Sequence, residues 1–387
     1  MKLIILKENL NKGLNIVGRV AGKNLTLPIL NNILISTQKN FLNLSSTDLE
    51  LGIKYWSLVK TEKEGEITVP AKVLLGFINL LPDKKITLES KNQDLFIQCD
   101  EYNTKIKGLS PEEFPIIPKI KNNQVVELNS AALCDGLAQV VDFSSPNQAR
   151  PELSGVYFNF QKNKLQLTAT DSFRLAEKTL TFENKPNKPV IHTQELSFIL
   201  PQKSAREIVN IFSEYKNKIK LYFSPNQVLF ECPMPETDHP QVQIISRLIE
   251  GEYPDYQGII PQKHDVQLVL ERDKLLNQIK TASIFSGKSN EVKIKINQKK
   301  GGIEILSQNP ELGENKSFLS AKINAGTTQQ KEKEIEISFN YRFLVDGLGG
   351  IKNKNILFEL NGEEGPAVIK PEGDPNYLYV VMPIKAT

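Results

Sequence analysis

The chain has 387 residues, 40% of them hydrophobic and 24% charged, with a formal charge of +3. That length exceeds one ordinary core and predicts two or three domains, and the composition suits a folded globular protein and excludes a disordered one. So small a charge excludes a protein that grips DNA by salt bridges alone, while leaving room for a locally basic surface.

The opening MKLIILKENL has an apolar run too short for a signal peptide. No 18-residue apolar run follows, so no transmembrane helix is expected. Three widely spaced cysteines, Cys99, Cys134 and Cys232, read as buried thiols in a reducing compartment, and the cytoplasm is the expected location.

In chain order, Leu6, Leu10, Leu14 and Val17 share one face of a predicted helix. An alternating strand, FLNLSS, runs into STDLELGI (46–53). VPAKVLLGFINLLP (69–82) predicts a second helix, with Pro70 in its first turn and Pro82 at its stop. KITLES and DLFIQC read as strands, and the Pro-rich GLSPEEFPIIPK (108–119) closes the segment.

The same order then recurs. Leu133, Leu137 and Val141 follow an Asn129/Ser130 cap, and KLQLTA leads into TATDSFRLAEK (168–178). LPQKSAREIVNIF (200–212) is helical with Pro201 in its first turn, then come KIKLYF and QVLFEC, and LIEGEYPDYQGIIPQK (248–263) closes. A third pass has Leu275, Ile279 and Ala282 on a helix face and GIEILS running into ILSQNPELGE, with Asn309 at the aspartate position. It continues with FNYRFLVDGLGG (339–350), whose paired glycines are the stop, and the strands NILFEL and PAVIK. Three tandem α+β units are expected, at 1–122, 123–263 and 264–387.

Signs of bond chemistry are weak. SIFSGKSN (283–290) has Ala282 where a phosphate loop needs glycine, and it follows a helix rather than a strand. His192, His239 and His264 lack metal-ligand spacing, and Cys232 with His239 supplies only two ligands. Asp48 and Glu50 belong to the repeat, so no catalytic pair is assigned. No cofactor is expected. The competing readings are a nucleotide-dependent enzyme using the GKS loop and a repeat scaffold with no DNA role.

TLPILNNILIS (26–36), STDLELGI, EGEITVPAKVLLGFINLLP (64–82), TATDSFRLAEK, EGEYPDYQGIIP (250–261) and YVVMPIK (379–385) span the chain. Together they resemble the bacterial DNA polymerase III beta subunit, the sliding clamp family. The resemblance implies three clamp domains, each with two inward-facing helices and outer antiparallel sheets. It implies a homodimeric ring around duplex DNA, a tether for the replicative polymerase, and no catalysis. DNA-facing candidates are Lys12, Lys72, Lys203, Arg206, Lys274 and Arg342 on helices. Lys23, Asn24, Asn147 and Gln148 in AGKNLT and SSPNQAR join them, with Asn24 where the family often has arginine.

The resemblance further implies a groove for linear peptides of the polymerase, the clamp loader and other replication and repair proteins. Carried over, it comprises Leu153, Thr170, Ser172, Phe173, Arg174, Leu175, Pro254, Gly258, Ile259, Pro366, Ala367, Val380, Met382, Pro383 and Ile384. Arg174 would cover apolar surface with its stem while its head stays wet. The simpler reading of the residue by itself is a pair with a nearby carboxylate. Phe173, Gly258 and Lys385 depart from the family pattern, and Ala386 and Thr387 extend past it.

Overall fold

The computed structural model describes residues 1–22, 26–118, 120, 125–147, 149–181, 196–235, 237, 239–325 and 335–385. They fall into two compact units. One is drawn from Met1–Cys134 and Arg206–Leu248, the other from Asp135–Glu183, Glu195–Ala205 and Ile249–Thr387. Each unit has its own sheets, and every strand pairing described is antiparallel.

Six α-helices lie among the described residues: α1 (Lys7–Val17), α2 (Ala71–Leu80), α3 (Ser130–Val140), α4 (Gln202–Phe212), α5 (Arg272–Ser283) and α6 (Tyr341–Gly349). They stand where the apolar periodicity puts them. Leu10, Leu14 and Val17 are buried on α1, Leu133 and Leu137 on α3, and Leu275, Ile279 and Ala282 on α5. The ends need three corrections. Leu6 is the N-cap of α1 and half exposed, because its strand Lys2–Leu6 runs straight into the helix. Pro70 is the N-cap of α2, and Pro201 ends the strand before α4. A proline can finish an edge strand without losing a ladder bond, so both sit one residue ahead of the first turn. Asn129 caps α3 as read, its Oδ1 accepting the Ala132 N–H at 3.0 Å.

The first unit has a five-stranded and an eight-stranded sheet. In the latter, Pro240–Arg247 of the second repeat pairs with Leu51–Leu58 of the first, Ile244 opposite Ile53. The second unit has a nine-stranded and a four-stranded sheet. In the former, Tyr377–Val381 of the third repeat pairs with Arg174–Thr181 of the second, Tyr379 opposite Ala176.

These two junctions are one junction made twice. Ile244 pairs with Phe230, and Phe230 with Leu221. Tyr379 pairs with Ile369, and Ile369 with Phe358. In the first repeat the same ladder reads Thr104, Ile97, Leu88. So Thr104 occupies the position of Ile244 and Tyr379. On the other side Ile53 pairs with Ser46, Ala176 with Ala169 and Asn315 with Ser307, which makes those three equivalent. The strands Tyr102–Lys107 and Gly313–Ser320 are thus the two halves of a third such junction. Each ends its own sheet with that edge unpaired among the described residues.

The segment after each junction strand also repeats. Leu109 donates its N–H to Thr68 O (3.0 Å), Ile249 to Ile199 O (3.0 Å) and Ile384 to Ser338 O (2.7 Å). The segments 108–118 and 249–263 then lie over a sheet face of the following repeat. Phe114 and Ile117 cover Leu229 and Ile245 in the first unit. Tyr256, with Tyr253 and Ile260 against it, covers Val368 and Val380 in the second.

Candidate functional site

The repeated Thr-Asp is a structural turn. In the second repeat Thr170 Oγ1 donates to Arg174 O (2.7 Å) and accepts the Ser172 N–H (3.1 Å). Asp171 Oδ1 accepts the N–H groups of Phe173 and Arg174, each at 3.0 Å. In the first repeat Thr47 Oγ1 donates to Leu51 O, and Asp48 Oδ1 accepts from Glu50 and Leu51. In the third, Asn309 Oδ1 accepts from Glu311 and Leu312 at 2.8 and 3.2 Å, the place its alignment gave it. Short polar side chains here close a hairpin by capping its own amides. Leu49 and Ser172 hold the same left-handed backbone, at φ 78° and 79°. That conformation is unfavourable for a side-chain-bearing residue and persists because the capped amides fix it.

The fourth turn position differs between copies. It is Leu51 in the first, almost fully buried, and Arg174 in the second. Arg174 Nε donates to Asp171 Oδ2 at 2.9 Å and its Nη1 to Asp346 Oδ2 at 2.6 Å. Its guanidinium lies 5.2 Å from the Phe143 ring centre and 4.6 Å from that of Phe343. Phe173 stacks on Phe343 at 6.4 Å. Burial alone would lower the guanidinium's pKa, but hydrogen bonds to Asp346 and Asp171 outweigh it and hold the group above its ordinary value. The expected wet head is therefore corrected: only 13% of the side chain is exposed, and the carboxylate pair is what forms. A planar cation between two aromatic faces with a carboxylate at each end is a rigid strut. It ties the turn to α6, which in turn approaches Tyr379 closely. A Cβ on Gly347 would lie 2.3 Å from that ring, and Tyr379 donates its hydroxyl to Phe343 O (2.8 Å).

The expected groove residues separate into a floor and a rim. Leu153, Thr170, Leu175, Ala367, Val380 and Pro383 are buried, and the Thr170 hydroxyl is taken up by the turn. Leu175 and Val380 pack with Val368 and Tyr256. Pro254, Arg174, Pro366 and Met382 are partly exposed, and Ser172, Phe173, Gly258, Ile259 and Ile384 are exposed. The strand pair brings the main set together: Arg174 opposite Val381, Leu175 opposite Val380, and the Met382 N–H donating to Phe173 O at 2.9 Å. Gly258 faces open space, since a Cβ there meets no atom within 4 Å. Sequence reasoning missed Phe143, Phe343, Asp346, Tyr253 and Tyr256. Phe343 and Asp346 carried one legible signal, a spacing of three on a predicted helix. Tyr253 stacks on Tyr157 at 4.6 Å, and Tyr256 donates to Glu177 (2.6 Å) while accepting from Thr168 (2.9 Å). Burial, and for Tyr256 the Glu177 carboxylate, push both phenols well above their ordinary range.

The helix cations Lys12, Lys72, Lys203, Arg206, Lys274 and Arg342 are all exposed. Lys12 Nζ lies 5.3 Å over the Tyr215 ring, Lys274 pairs with Glu271 at 2.9 Å, and Arg342 sits 5.8 Å from the Tyr341 ring. Exposed Asn147 accepts the Ala149 N–H through its side chain. Lys23, Asn24 and Gln148 lie outside the described residues, as do Ala386 and Thr387. Gly287–Ser289 is a short 3-10 turn after α5, not a strand-to-helix loop. No group of three metal-binding side chains occurs among the described residues. No helix among them is long and apolar enough to cross a membrane.

Models of the DNA polymerase III beta subunit match in three consecutive parts: the N-terminal domain at residues 1–118, the central domain at 127–255 and the C-terminal domain at 257–385. The chain belongs to the DNA polymerase III beta subunit family. The beta sliding clamp of Staphylococcus aureus is 28% identical over 395 residues, covering 100% of this chain and 99% of that one. That of Staphylococcus epidermidis is 27% identical at the same coverage. The fold matches the sliding clamp of Bacillus subtilis (TM-score 0.90, 24% identity) and a Pseudomonas aeruginosa sliding clamp bound to griselimycin (0.90, 24%), each over 100% of both chains. The three repeats are thus three tandem clamp domains. The family works with DNA and polymerase as a processivity subunit and is not a catalytic enzyme.

Proposed function

We propose that two copies close head to tail into a ring around duplex DNA in the cytoplasm and tether the replicative polymerase, with domains meeting near residues 122 and 263. The observation that carries this reading is the third half-made junction. The edge strands Tyr102–Lys107 and Gly313–Ser320 hold the positions that the two internal junctions fill. Paired in that register, Thr104 of one copy faces Asn315 of the other, and Lys105 faces Glu314. Heterologous contacts of this kind close when the rotation per domain divides the circle.

The helices support the same closure. Aligned from Pro70 and Pro201, Phe77 and Leu80 of α2 match Ile208 and Ile211 of α4. Ile208 and Ile211 are buried, whereas Leu80 is 83% exposed and Val73 on the same face 53%. A second copy would bury that apolar face. Leu80→Glu tests it without disturbing a core. Wild type should sediment at twice 43.6 kDa and the variant at 43.6 kDa with an unchanged circular dichroism spectrum. A variant that remains dimeric at nanomolar concentration would remove α2 from the ring interface.

The exposed helix cations are proposed to line the hole. They are few and exposed, so they can exchange phosphates as the ring moves, and a topological link needs no tight grip. The rim of Phe173, Ile259, Met382 and Ile384 is proposed to take linear peptides of the polymerase, clamp loader and repair proteins. Met382 can repack around different side chains, and the Arg174 strut fixes the wall they meet.

A further inference from the structure

Two of the three clamp domains wear a segment of the preceding domain across one sheet face. In the second domain the covered row is Tyr222, Leu229, Ile245, with Leu229 6% and Ile245 5% exposed under Phe114 and Ile117. In the third it is Glu359, Val368, Val380, with Val368 1% and Val380 3% exposed beneath Tyr256. The ladder that equates Thr104 with Ile244 and Tyr379 gives the first domain's row as Glu89, Phe96, Lys105. Phe96 is 38% exposed and belongs to neither of the two covered clusters.

The row is the floor of a cavity of about 350 Å³ between Lys91 and Lys105, lined also by Thr87, Gln98 and Asn103. Lys91 Nζ lies 5.8 Å over the Phe96 ring. A second copy paired on the neighbouring edge would not fill it with apolar groups. At the two internal junctions Leu34 and Tyr157 pack against the covered row, and their equivalent in the third domain is Lys293.

We propose that the sheet face around Phe96 is a docking site for an extended partner segment of acidic, aromatic and proline residues. The chemistry is read from the two occupied equivalents. GLSPEEFPIIPK and LIEGEYPDYQGIIPQK each put a carboxylate, an aromatic ring and a proline in succession, E-F-P and E-Y-P. An extended, proline-stiffened segment loses little entropy on docking, and a ring at or just after the motif, Phe114 in one segment and Tyr256 in the other, covers an apolar residue. In the first domain that residue is Phe96, flanked by Lys91 and Lys105; they pair with Glu89 (3.1 Å) and Asp94 (3.2 Å) and would exchange those exposed partners for the segment's carboxylates. This site is distinct from the rim around Phe173, and it does not require the ring.

The probe is a fluorescein-labelled peptide of residues 108–119, titrated against the full-length protein by anisotropy. Saturable binding that weakens at least ten-fold in Phe96→Asp, and several-fold in Lys105→Glu, supports the proposal. Lys105 is exposed, so its substitution spares the core, and reading it in the Leu80→Glu background separates it from its place opposite Glu314 at the ring junction. The loss in Lys105→Glu should shrink as salt is raised. Phe173→Ala should leave the binding unchanged. Absence of binding at millimolar protein, affinity indifferent to Phe96→Asp, or loss of binding in Phe173→Ala would each overturn it.

Discussion

The turns at Thr47–Leu51 and Thr170–Arg174 have one backbone and two occupations. Both spend a threonine and an aspartate on capping their own amides, and both hold a non-glycine residue at φ close to 79°. In the first copy the residue two positions on, Leu51, goes into the core. In the second, Arg174 turns outward between Phe143 and Phe343 and reaches Asp346 on α6. The difference teaches that the motif itself is a folding device, and that the two copies diverge structurally in the residues just after it. A repeat can therefore mislead a motif search. The doubled part is structural, and the undoubled part is where the proposed peptide rim begins.

Five substitutions at four residues sharpen the contrast. Asp171→Ala removes two amide caps and the inner partner of a buried guanidinium, so it should cost about 3 kcal/mol in denaturant midpoint at constant slope. A cost equal to that of Asp48→Ala would mean the strut adds nothing to the turn. Arg174→Met keeps the stem and removes the head, which should cost about 2 kcal/mol. It should also weaken a polymerase-derived peptide about ten-fold, and Arg174→Lys should recover only part of that, since an ammonium neither stacks nor bridges two carboxylates. Full recovery by lysine would show that charge alone matters. Asp48→Ala loses amide caps on an exposed turn, about 1 kcal/mol, with peptide affinity unchanged. Asp346→Asn should be smallest, under about 0.5 kcal/mol, because that carboxylate is half exposed and screened. Its effect should fade between low and high salt, and one that did not would place the pair's worth in geometry.

The fold was legible to the extent that it is periodic. Leu133 and Leu137, Leu275 and Ile279, and the alternating strands gave the helices and ladders because burial follows spacing. Asn309 was legible because an asparagine oxygen caps a turn as an aspartate oxygen does. Helix starts were off by a residue at Leu6, Pro70 and Pro201, where a strand passes directly into a helix and the apolar pattern carries no mark of the change. The groove list came from resemblance, and it mixed floor with rim because Thr170, Leu175 and Val380 face inward only once strands of two domains pair. The partners of Arg174 are remote in sequence, Asp346 by 172 residues, and no local pattern announces a pair at that distance. The half-made third junction was invisible for the same reason, since it appears only when three ladders are laid in register.

Closure of that junction around DNA is the claim on which the rest depends. The protein would be loaded on nicked circular duplex by a bacterial clamp loader with ATP, washed at high salt, and the circle then cut once. Retention on the circle at high salt and release on cutting is the result expected of a ring that holds by topology. Protein that stays on the linear duplex and leaves only as salt is raised would contradict it, and would make this an ordinary electrostatic DNA binder.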